Sequence, residues 1–194
     1  LIVEREMGES IVQERTREMM NHNGDNVYWM IDGDFNLQDD KKVEELVKIV
    51  EELDIELLVF DLFSSIARLK DENDNAEVAP IMDKILDKFV NGGKKIDVIF
   101  IHHPAKSSEG DVMRGAGDIL GKSYVAYVLS KEEEDGTLIN MKCIKHRWHA
   151  PKAFQMNYVT NSQGQYKFQY LGEKNKDDKA SNIANEIISL IQEF

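Results

Sequence analysis

The chain has 194 residues, a formal net charge of −12, 42% hydrophobic residues and a single cysteine, Cys143. The length is sufficient for one domain with a full core and a small appendage, and the acidic balance argues against a protein that binds nucleic acid over its whole surface, although a few basic loops could still hold it. No apolar run approaches the roughly 20 residues of a membrane span, no signal peptide is recognisable and one cysteine fits a reducing compartment, so we expect a cytoplasmic protein without a membrane partner.

The first part of the chain alternates strand-like and helix-like segments. Continuous apolar runs predict buried strands, and apolar residues at helical spacing predict amphipathic helices. The predicted strands cover residues 1–6, 27–31, 57–61 and 97–101, and the predicted helices cover residues 10–21, 39–53 and 76–90. Residues 68–75 are polar and predict an exposed loop. This alternation predicts an α/β fold with a mostly parallel sheet and right-handed crossovers.

The pattern changes after about Ser123. Four strand-like segments follow, at residues 124–130, 138–146, 153–159 and 165–171, joined by turn-like sequences. They predict an antiparallel C-terminal extension of the same sheet, so that residues 1–171 form one domain. Residues 172–178 read as a charged linker, and residues 179–194 as an amphipathic helix that begins another module or docks on a neighbour.

Polar residues follow two of the predicted strands. Asp61 ends one strand, and the strand at residues 97–101 leads into a cluster that includes His102 and His103. The carboxyl ends of strands in open α/β sheets carry the chemistry. An Asp at this position is typical of magnesium placement in P-loop ATPases, so the two strand ends indicate nucleotide hydrolysis.

One segment resembles a phosphate-binding loop. Such a loop reads Gly-x4-Gly-Lys-Ser/Thr, and a looser form that allows Ala first matches residues 116–123. A working loop directly follows a buried strand and opens a helix, so that backbone N–H groups surround phosphate. Here the preceding strand ends fifteen residues upstream and the following residues are strand-like. We therefore interpret this segment as a helix and turn that lead into a strand.

Several short motifs occur in a distinctive order along the chain. They are Leu1-Ile2-Val3-Glu4-Arg5-Glu6-Met7, Gln13-Glu14-Arg15, Asp61, Asp71-Glu72-Asn73-Asp74-Asn75, His102-His103-Pro104-Ala105-Lys106, Arg114-Gly115-Ala116-Gly117 and Lys145-His146-Arg147. This ordered set, which covers roughly residues 1–159, resembles the RecA-like ATPases, most closely the RepA-like hexameric replicative helicases and the related DnaB-type helicases. The resemblance implies a RecA-like core, ATP and Mg²⁺ as cofactors, a homo-oligomeric and hexameric ring, and single-stranded DNA as a partner.

A RecA-like domain normally opens with the strand and helix that carry its P-loop. The sequence departs from the family here, because its first segment resembles the next strand, with Glu6 in the position of the catalytic Glu. The resemblance implies that the P-loop lies upstream of Leu1. We therefore expect an N-terminally truncated chain that could be inactive by itself.

The resemblance also implies roles for individual residues. Glu6 would orient and polarise the water that attacks the γ-phosphate. Asp61 would place Mg²⁺ through a water, and His103 would sense the γ-phosphate. Lys145 and Arg147, two apart on a predicted strand and so on one face, would complete the site of a neighbouring subunit, with Arg147 as the finger.

Each of these residues also has a simpler interpretation. Asp61 could cap a helix or turn, the histidines could be ordinary strand-end residues, and the two basic residues could form a solvated strand face. Glu6 could be a surface acid, with Glu4 as the catalytic residue instead. A zinc site would use His102, His103, His146 and His149, whose spacing matches no standard zinc pattern.

The loops at residues 64–80 and 104–114 leave the two strands of the site. In RecA-like rings the equivalent loops line the channel and grip single-stranded nucleic acid. The candidate contacts are Arg68, Lys70, Lys106 and Arg114. The acidic run at residues 71–74 weakens the first loop as a phosphate grip, and solvated loops without a ligand are the alternative.

Other functions stay open at this point. The chain could be a RecA-like ATPase for recombination or regulation, a RecA-fold interaction module that lacks a P-loop, or a metal-dependent hydrolase built on the histidines. Unwinding and DNA-stimulated turnover would distinguish the first from a helicase, the sequence upstream of Leu1 would distinguish the second, and metal analysis the third.

Overall fold

The computed structural model describes residues 1–19, 26–103, 117–131, 135–149 and 151–173. The chain divides into two compact units, Leu1–Tyr124 and Val125–Phe194. Each unit contains one four-stranded sheet, and the residues that follow the sheets' strands define the site described below.

The sheet of the first unit is parallel throughout. Its strands are β1 (Ile2–Glu4), β2 (Trp29–Ile31), β3 (Leu57–Asp61) and β4 (Asp97–Phe100). They lie in the order β2-β1-β3-β4, and each pair of neighbours is parallel. The predicted parallel sheet is confirmed. Strand β1 ends at Glu4, two residues before its predicted end.

The helices of the described residues connect and cover these strands. They are α1 (Glu9–Glu18), α2 (Asp40–Glu52), α3 (Phe63–Ala67), α4 (Asn75–Ile85), which continues as a π-helical turn (Leu86–Val90), and α5 (Gly117–Lys122). Two helices begin with an aspartate cap: Asp39 accepts hydrogen bonds from the first amides of α2, and Asp74 accepts one from the amide of Ala76 in α4. Such caps satisfy amides that have no partner within the helix.

The sequence pattern did not predict α3. This helix has five residues, of which Phe63, Ile66 and Ala67 are buried, and so short a segment contains too few turns for a helical period to be recognised. It follows β3 after a single residue, Leu62, which is its N-cap. Its position places the side chains of α3 beside Asp61, at the end of the strand.

The core of the first unit lies against one face of the parallel sheet. Leu58 and Phe60 of β3 are fully buried, whereas the side chain of Leu57 is 42% exposed, because neighbouring strand residues point to opposite faces. Phe60 stacks on Phe100 of β4 with ring centroids 5.9 Å apart, and Phe63 of α3 meets Phe100 edge to face at 5.1 Å. These rings fix the carboxyl ends of β3 and β4.

The second unit contains antiparallel strands. They are β5 (Val125–Lys131), β6 (Leu138–His146), β7 (Phe154–Thr160) and β8 (Tyr166–Glu173), paired in that order. The predicted α/β class with antiparallel C-terminal strands is confirmed. Among the described residues these strands form a second sheet, and so they do not extend the hydrogen bonding of the first sheet.

The C-terminal prediction falls mostly outside the described residues. Gly172 and Glu173, predicted as the start of a linker, belong to β8. The rest of the predicted linker and the predicted helix at residues 179–194 lie beyond the part of the chain that is described. No helix within the described ranges combines the length and the apolar composition that crossing a membrane requires.

We expect Leu58→Ala to lower the free energy of unfolding by about 3 kcal/mol, because it removes a fully buried side chain and leaves a cavity. Leu57→Ala, at the adjacent and largely exposed position, should lower it by less than about 1 kcal/mol. Urea unfolding of the two variants measures both values. Equal losses would contradict the placement of Leu58 on the core face.

Candidate functional site

Acidic, basic and imidazole groups converge at the carboxyl end of β3. In the register of the parallel sheet, Glu4 of β1 lies directly beside Asp61 of β3. The pKa of Asp61 is raised, firstly because the carboxyl group is partly buried and then because Glu4 and Glu6 are negatively charged; Arg15 and His103 act in the opposite direction. Five side chains from separate parts of the first unit are therefore close enough to influence one another.

Glu4 is enclosed by the backbone that follows it. The residue is 1% exposed, and its carboxylate accepts hydrogen bonds from the amides of Glu6 and Met7. These bonds turn the chain out of β1, which explains why the strand is shorter than predicted. Because the carboxylate of Glu4 is bound by amides while Glu6 is exposed, the geometry favours Glu6 over Glu4 as the acid that meets a ligand.

Glu6 contacts the helix that follows β3. Its Oε1 accepts a hydrogen bond from the hydroxyl of Ser65 in α3. The neighbouring Arg5 donates from Nη1 to the carbonyl of the same serine and from Nε to the carbonyl of Gly33 at 2.9 Å. The segment that leaves β1 is thus attached to α3 through both a side chain and a backbone group of Ser65.

The two histidines after β4 have different surroundings. The side chain of His102 is 4% exposed, and its Nε2 lies 3.6 Å from Oε2 of Glu72. Its ring is also 6.3 Å from that of Phe63, edge to face. His103 is exposed and is one of the groups that act on Asp61. The predicted alternation of the two side chains therefore leaves His103 as the histidine that faces the site.

The segment that resembles a P-loop has a structural role in its described part. Residues 117–122 form α5, and β5 begins three residues later. The ammonium of Lys122 binds the carbonyl of Ala79 at 3.2 Å and the carboxylate of Asp83 at 2.6 Å, both on α4. A lysine engaged in this way fastens α5 to α4, in agreement with the interpretation of this segment as a helix and turn.

The candidate nucleic-acid contacts are described only in part. Lys106 and Arg114 lie outside the described residues. Arg68, the left-handed C-cap of α3, directs Nη2 towards the carbonyl of Gly33 at 3.4 Å and the carboxylate of Asp34 at 3.8 Å. Lys70 is exposed, and its amide donates to Glu77. Arg68 is therefore drawn towards the protein itself, and Lys70 lies at the surface of the loop.

The predicted finger residues belong to the second unit. Lys145 lies in β6, but Arg147 follows the last residue of that strand. The prediction that both lie on one strand is therefore wrong for Arg147, and strand alternation does not fix its direction. The pKa of Lys145 is lowered, firstly by burial and then by the positive charge of Arg147. The two cations are thus close to each other.

Within the described ranges, no group of three or more His, Cys, Asp or Glu side chains is arranged as a ligand set for a metal ion. A metal at this site would therefore depend on few protein ligands. That is how Mg²⁺ is usually held beside a nucleotide, by one or two carboxylates together with phosphates and waters.

Comparison with known proteins identifies the family. A family model described as "AAA domain" matches residues 1–109. The chain belongs to this family. Among solved structures, the ATPase domain of another protein matches with a TM-score of 0.61 at 10% identity, over 85% of this chain and 72% of that chain. A search of the curated proteins gives no match.

The AAA domain assignment and the structural match confirm the RecA-like fold that the order of motifs indicated. At 10% identity, the likeness to the solved ATPase domain concerns the fold. The family and the fold together support nucleotide hydrolysis as the general activity. Ring formation, the nucleic-acid partner and the roles of individual residues remain proposals.

Sequence reasoning did not select three residues that the AAA domain brings to this site. Arg15 acts on Asp61, and its signal was a basic residue at the four-residue spacing of Ile11 and Met19. Arg5 and Ser65 hold the segment around Glu6. Neither had a recognisable signal, because their contacts join parts of the chain about 60 residues apart.

The raised pKa of Asp61 makes a prediction about stability. Its neutral form is favoured by the fold, so this contribution is complete below the ordinary pKa of Asp, about 4, and is lost as the pH rises through the raised value. We expect Asp61→Asn to raise the thermal midpoint of the free protein near neutral pH by about 2 °C. The effect is small because solvent screens a partly exposed group, and it should vanish towards acid pH.

Asp97→Asn is the matched control, because Asp97 is an exposed aspartate at the start of β4. It should not give a gain that depends on pH in this way. Thermal melts of both variants between acid and neutral pH provide the measurement. A loss of stability in Asp61→Asn near neutral pH would show that the ionised carboxylate is favourable in the fold.

Proposed function

We propose that the chain is part of a ring-forming ATPase that couples ATP hydrolysis at subunit interfaces to movement on single-stranded DNA, as in replicative helicases. The observation that supports this function best is the meeting of Asp61, Glu6 and His103 at the carboxyl ends of neighbouring parallel strands. An acid for a cation, an acid for water and a polar sensor are the groups that phosphoryl transfer to water requires.

Asp61 is the residue that would hold Mg²⁺ in this proposal. The carboxylates of Glu4 and Glu6 raise its pKa, so the site carries more negative charge than its own cations offset, and a divalent cation fits such a place. A bound Mg²⁺ would supply positive charge to the phosphates of ATP. The carboxylate of Asp61 must be ionised for this role, and Arg15 and His103 favour its ionised form.

Glu6 is the proposed general base. Its exposed carboxylate would orient a water molecule and accept its proton as the oxygen attacks the γ-phosphorus, while the bond to the bridging oxygen breaks and ADP leaves. His103 would donate a hydrogen bond to the γ-phosphate and register its loss. We propose that the P-loop is encoded upstream of Leu1, since the described part of the P-loop-like segment forms α5 and its lysine binds α4.

Lys145 and Arg147 are proposed to act on the ATP of a neighbouring subunit. Burial and the charge of Arg147 lower the pKa of Lys145, so an anion placed near both cations would be stabilised by them. A guanidinium can bind two phosphate oxygens at once, which suits Arg147 to the role of the finger. This arrangement would make hydrolysis depend on ring assembly.

DNA contact is proposed for the loops that leave β3 and β4. Lys70 is the exposed candidate in the first loop, while Arg68 would have to leave its contacts with Gly33 and Asp34 in order to reach DNA. Lys106 and Arg114 are the candidates in the second loop. Phosphate contacts of this kind carry no sequence preference and weaken with salt.

We expect Glu6→Gln to lower ATP turnover by at least about 100-fold, because glutamine cannot accept the proton of the attacking water. Turnover is to be measured on the protein translated from its natural start codon, with and without single-stranded DNA. Glu9→Gln, at an exposed acid in the first turn of α1, is the control and should retain turnover and its stimulation by DNA.

Two results would contradict the proposed motor. Turnover that Glu6→Gln leaves unchanged would remove Glu6 from the reaction. Absence of both turnover and nucleotide binding in the natural protein would favour a RecA-fold interaction module, the alternative that the missing P-loop left open.

Mixing two inactive variants tests whether Arg147 acts in a neighbouring subunit. We expect Arg147→Ala and Glu6→Gln each to abolish turnover. Rings that contain both variants should regain part of it, because an intact Glu6 and an intact Arg147 then meet at some interfaces. No recovery in mixed rings, checked for mixing by affinity tags of two kinds, would show that Arg147 acts within its own subunit or only structurally.

A further inference from the structure

Ser65 has no place among the residues that the sequence singled out, yet it is the side chain that holds Glu6. The hydroxyl donates to Oε1 of Glu6 across 59 residues of chain. Ser65 lies in α3, four residues after Asp61. The hydrogen bond therefore links the proposed base with the element that directly follows the proposed magnesium residue.

The position of Ser65 is itself fixed by its surroundings. Phe63 and Ile66, on either side of it in α3, are fully buried, and the carbonyl of Ile66 accepts from the amide of Leu37 at 3.1 Å. The carbonyl of Ser65 accepts from Arg5. A helix anchored in this way cannot rotate without breaking the core, so the hydroxyl of Ser65 is held in place.

Glu6 is held at two points, one on its backbone and one at the end of its side chain. The carboxylate of Glu4 binds its backbone amide, and the hydroxyl of Ser65 binds its Oε1. A free glutamate side chain samples many rotamers, and losing them on binding costs about 1–2 kcal/mol. A residue that removes this freedom before the substrate arrives favours the reacting geometry.

We propose that Ser65 is a positioning residue for Glu6. It engages Oε1, so that Oε2 is the oxygen that orients the water and accepts its proton. This inference rests on the proposed function of Glu6 as general base. Ser65 does not touch the reacting atoms; it acts through Glu6, and its loss should therefore affect the rate of the chemical step and not the binding of ATP.

The chain offers a matched control beside it. Ser64 is the preceding residue of the same helix and is likewise partly buried, and the bond described above comes from Ser65. Replacement of either serine by alanine removes the same atom from the same helix. A general effect of weakening α3 should therefore appear in both variants, and an effect on Glu6 only in Ser65→Ala.

The test compares kcat and KM for ATP in the natural full-length protein. We expect Ser65→Ala to lower kcat roughly tenfold, the size of effect that one hydrogen bond to a charged group produces, with KM unchanged. Ser65→Thr, which keeps a hydroxyl, should restore most of kcat, and Ser65→Cys, a weaker donor, should fall between. Ser64→Ala should match the wild type. Thermal melts check that each variant folds.

The double variant Glu6→Gln with Ser65→Ala separates this inference from the function on which it rests. If Ser65 acts through Glu6, the double variant should turn over no more slowly than Glu6→Gln alone. A further loss in the double variant, a kcat for Ser65→Ala within about twofold of the wild type or above it, or an equal loss in Ser64→Ala would overturn the role of Ser65 while leaving Glu6 in place. Unchanged turnover in Glu6→Gln would instead overturn both.

Discussion

The site depends on one register in the parallel sheet, the pairing that sets Glu4 of β1 beside Asp61 of β3. Parallel strands bring their carboxyl ends to one edge, so this register places two acids side by side, one of them fully enclosed. The fold tolerates the pair because amides of the following residues bind Glu4 and because Arg15 and His103 lie near Asp61. Negative charge is thus concentrated where a magnesium nucleotide would be held in the proposed reaction.

The enclosed acid also shapes the chain around it. By accepting the amides of Glu6 and Met7, Glu4 ends β1 and directs the following residues towards α3, where Arg5 and Glu6 both meet Ser65. Aromatic packing of Phe60, Phe63 and Phe100 fixes the two strands and the helix against which this segment rests. A buried carboxylate, two hydrogen bonds and three rings thereby form one rigid support for the proposed base.

Several parts of this arrangement could be predicted from sequence, and the reason is local. The run Leu57–Asp61 is continuous and apolar and ends in an acid, so both the strand and the exposed end of its chemistry could be read directly. The P-loop-like segment could be rejected because a loop of that kind needs a strand immediately before it. By contrast, α3 is too short to show a period, and the contacts of Lys122 with α4 depend on how two helices pack.

The sequence by itself determined the alternation of strands and helices, the RecA-like order of motifs and the residue types at the ends of β3 and β4, because periodicity and strand ends are properties of neighbouring residues. Tertiary structure alone decided that Glu4 is enclosed while Glu6 is exposed, that Ser65 meets Glu6, and that the antiparallel strands form a second sheet among the described residues. The physical reason is that register and helix packing join residues tens of positions apart, and no local pattern encodes which of two nearby acids the backbone will bind.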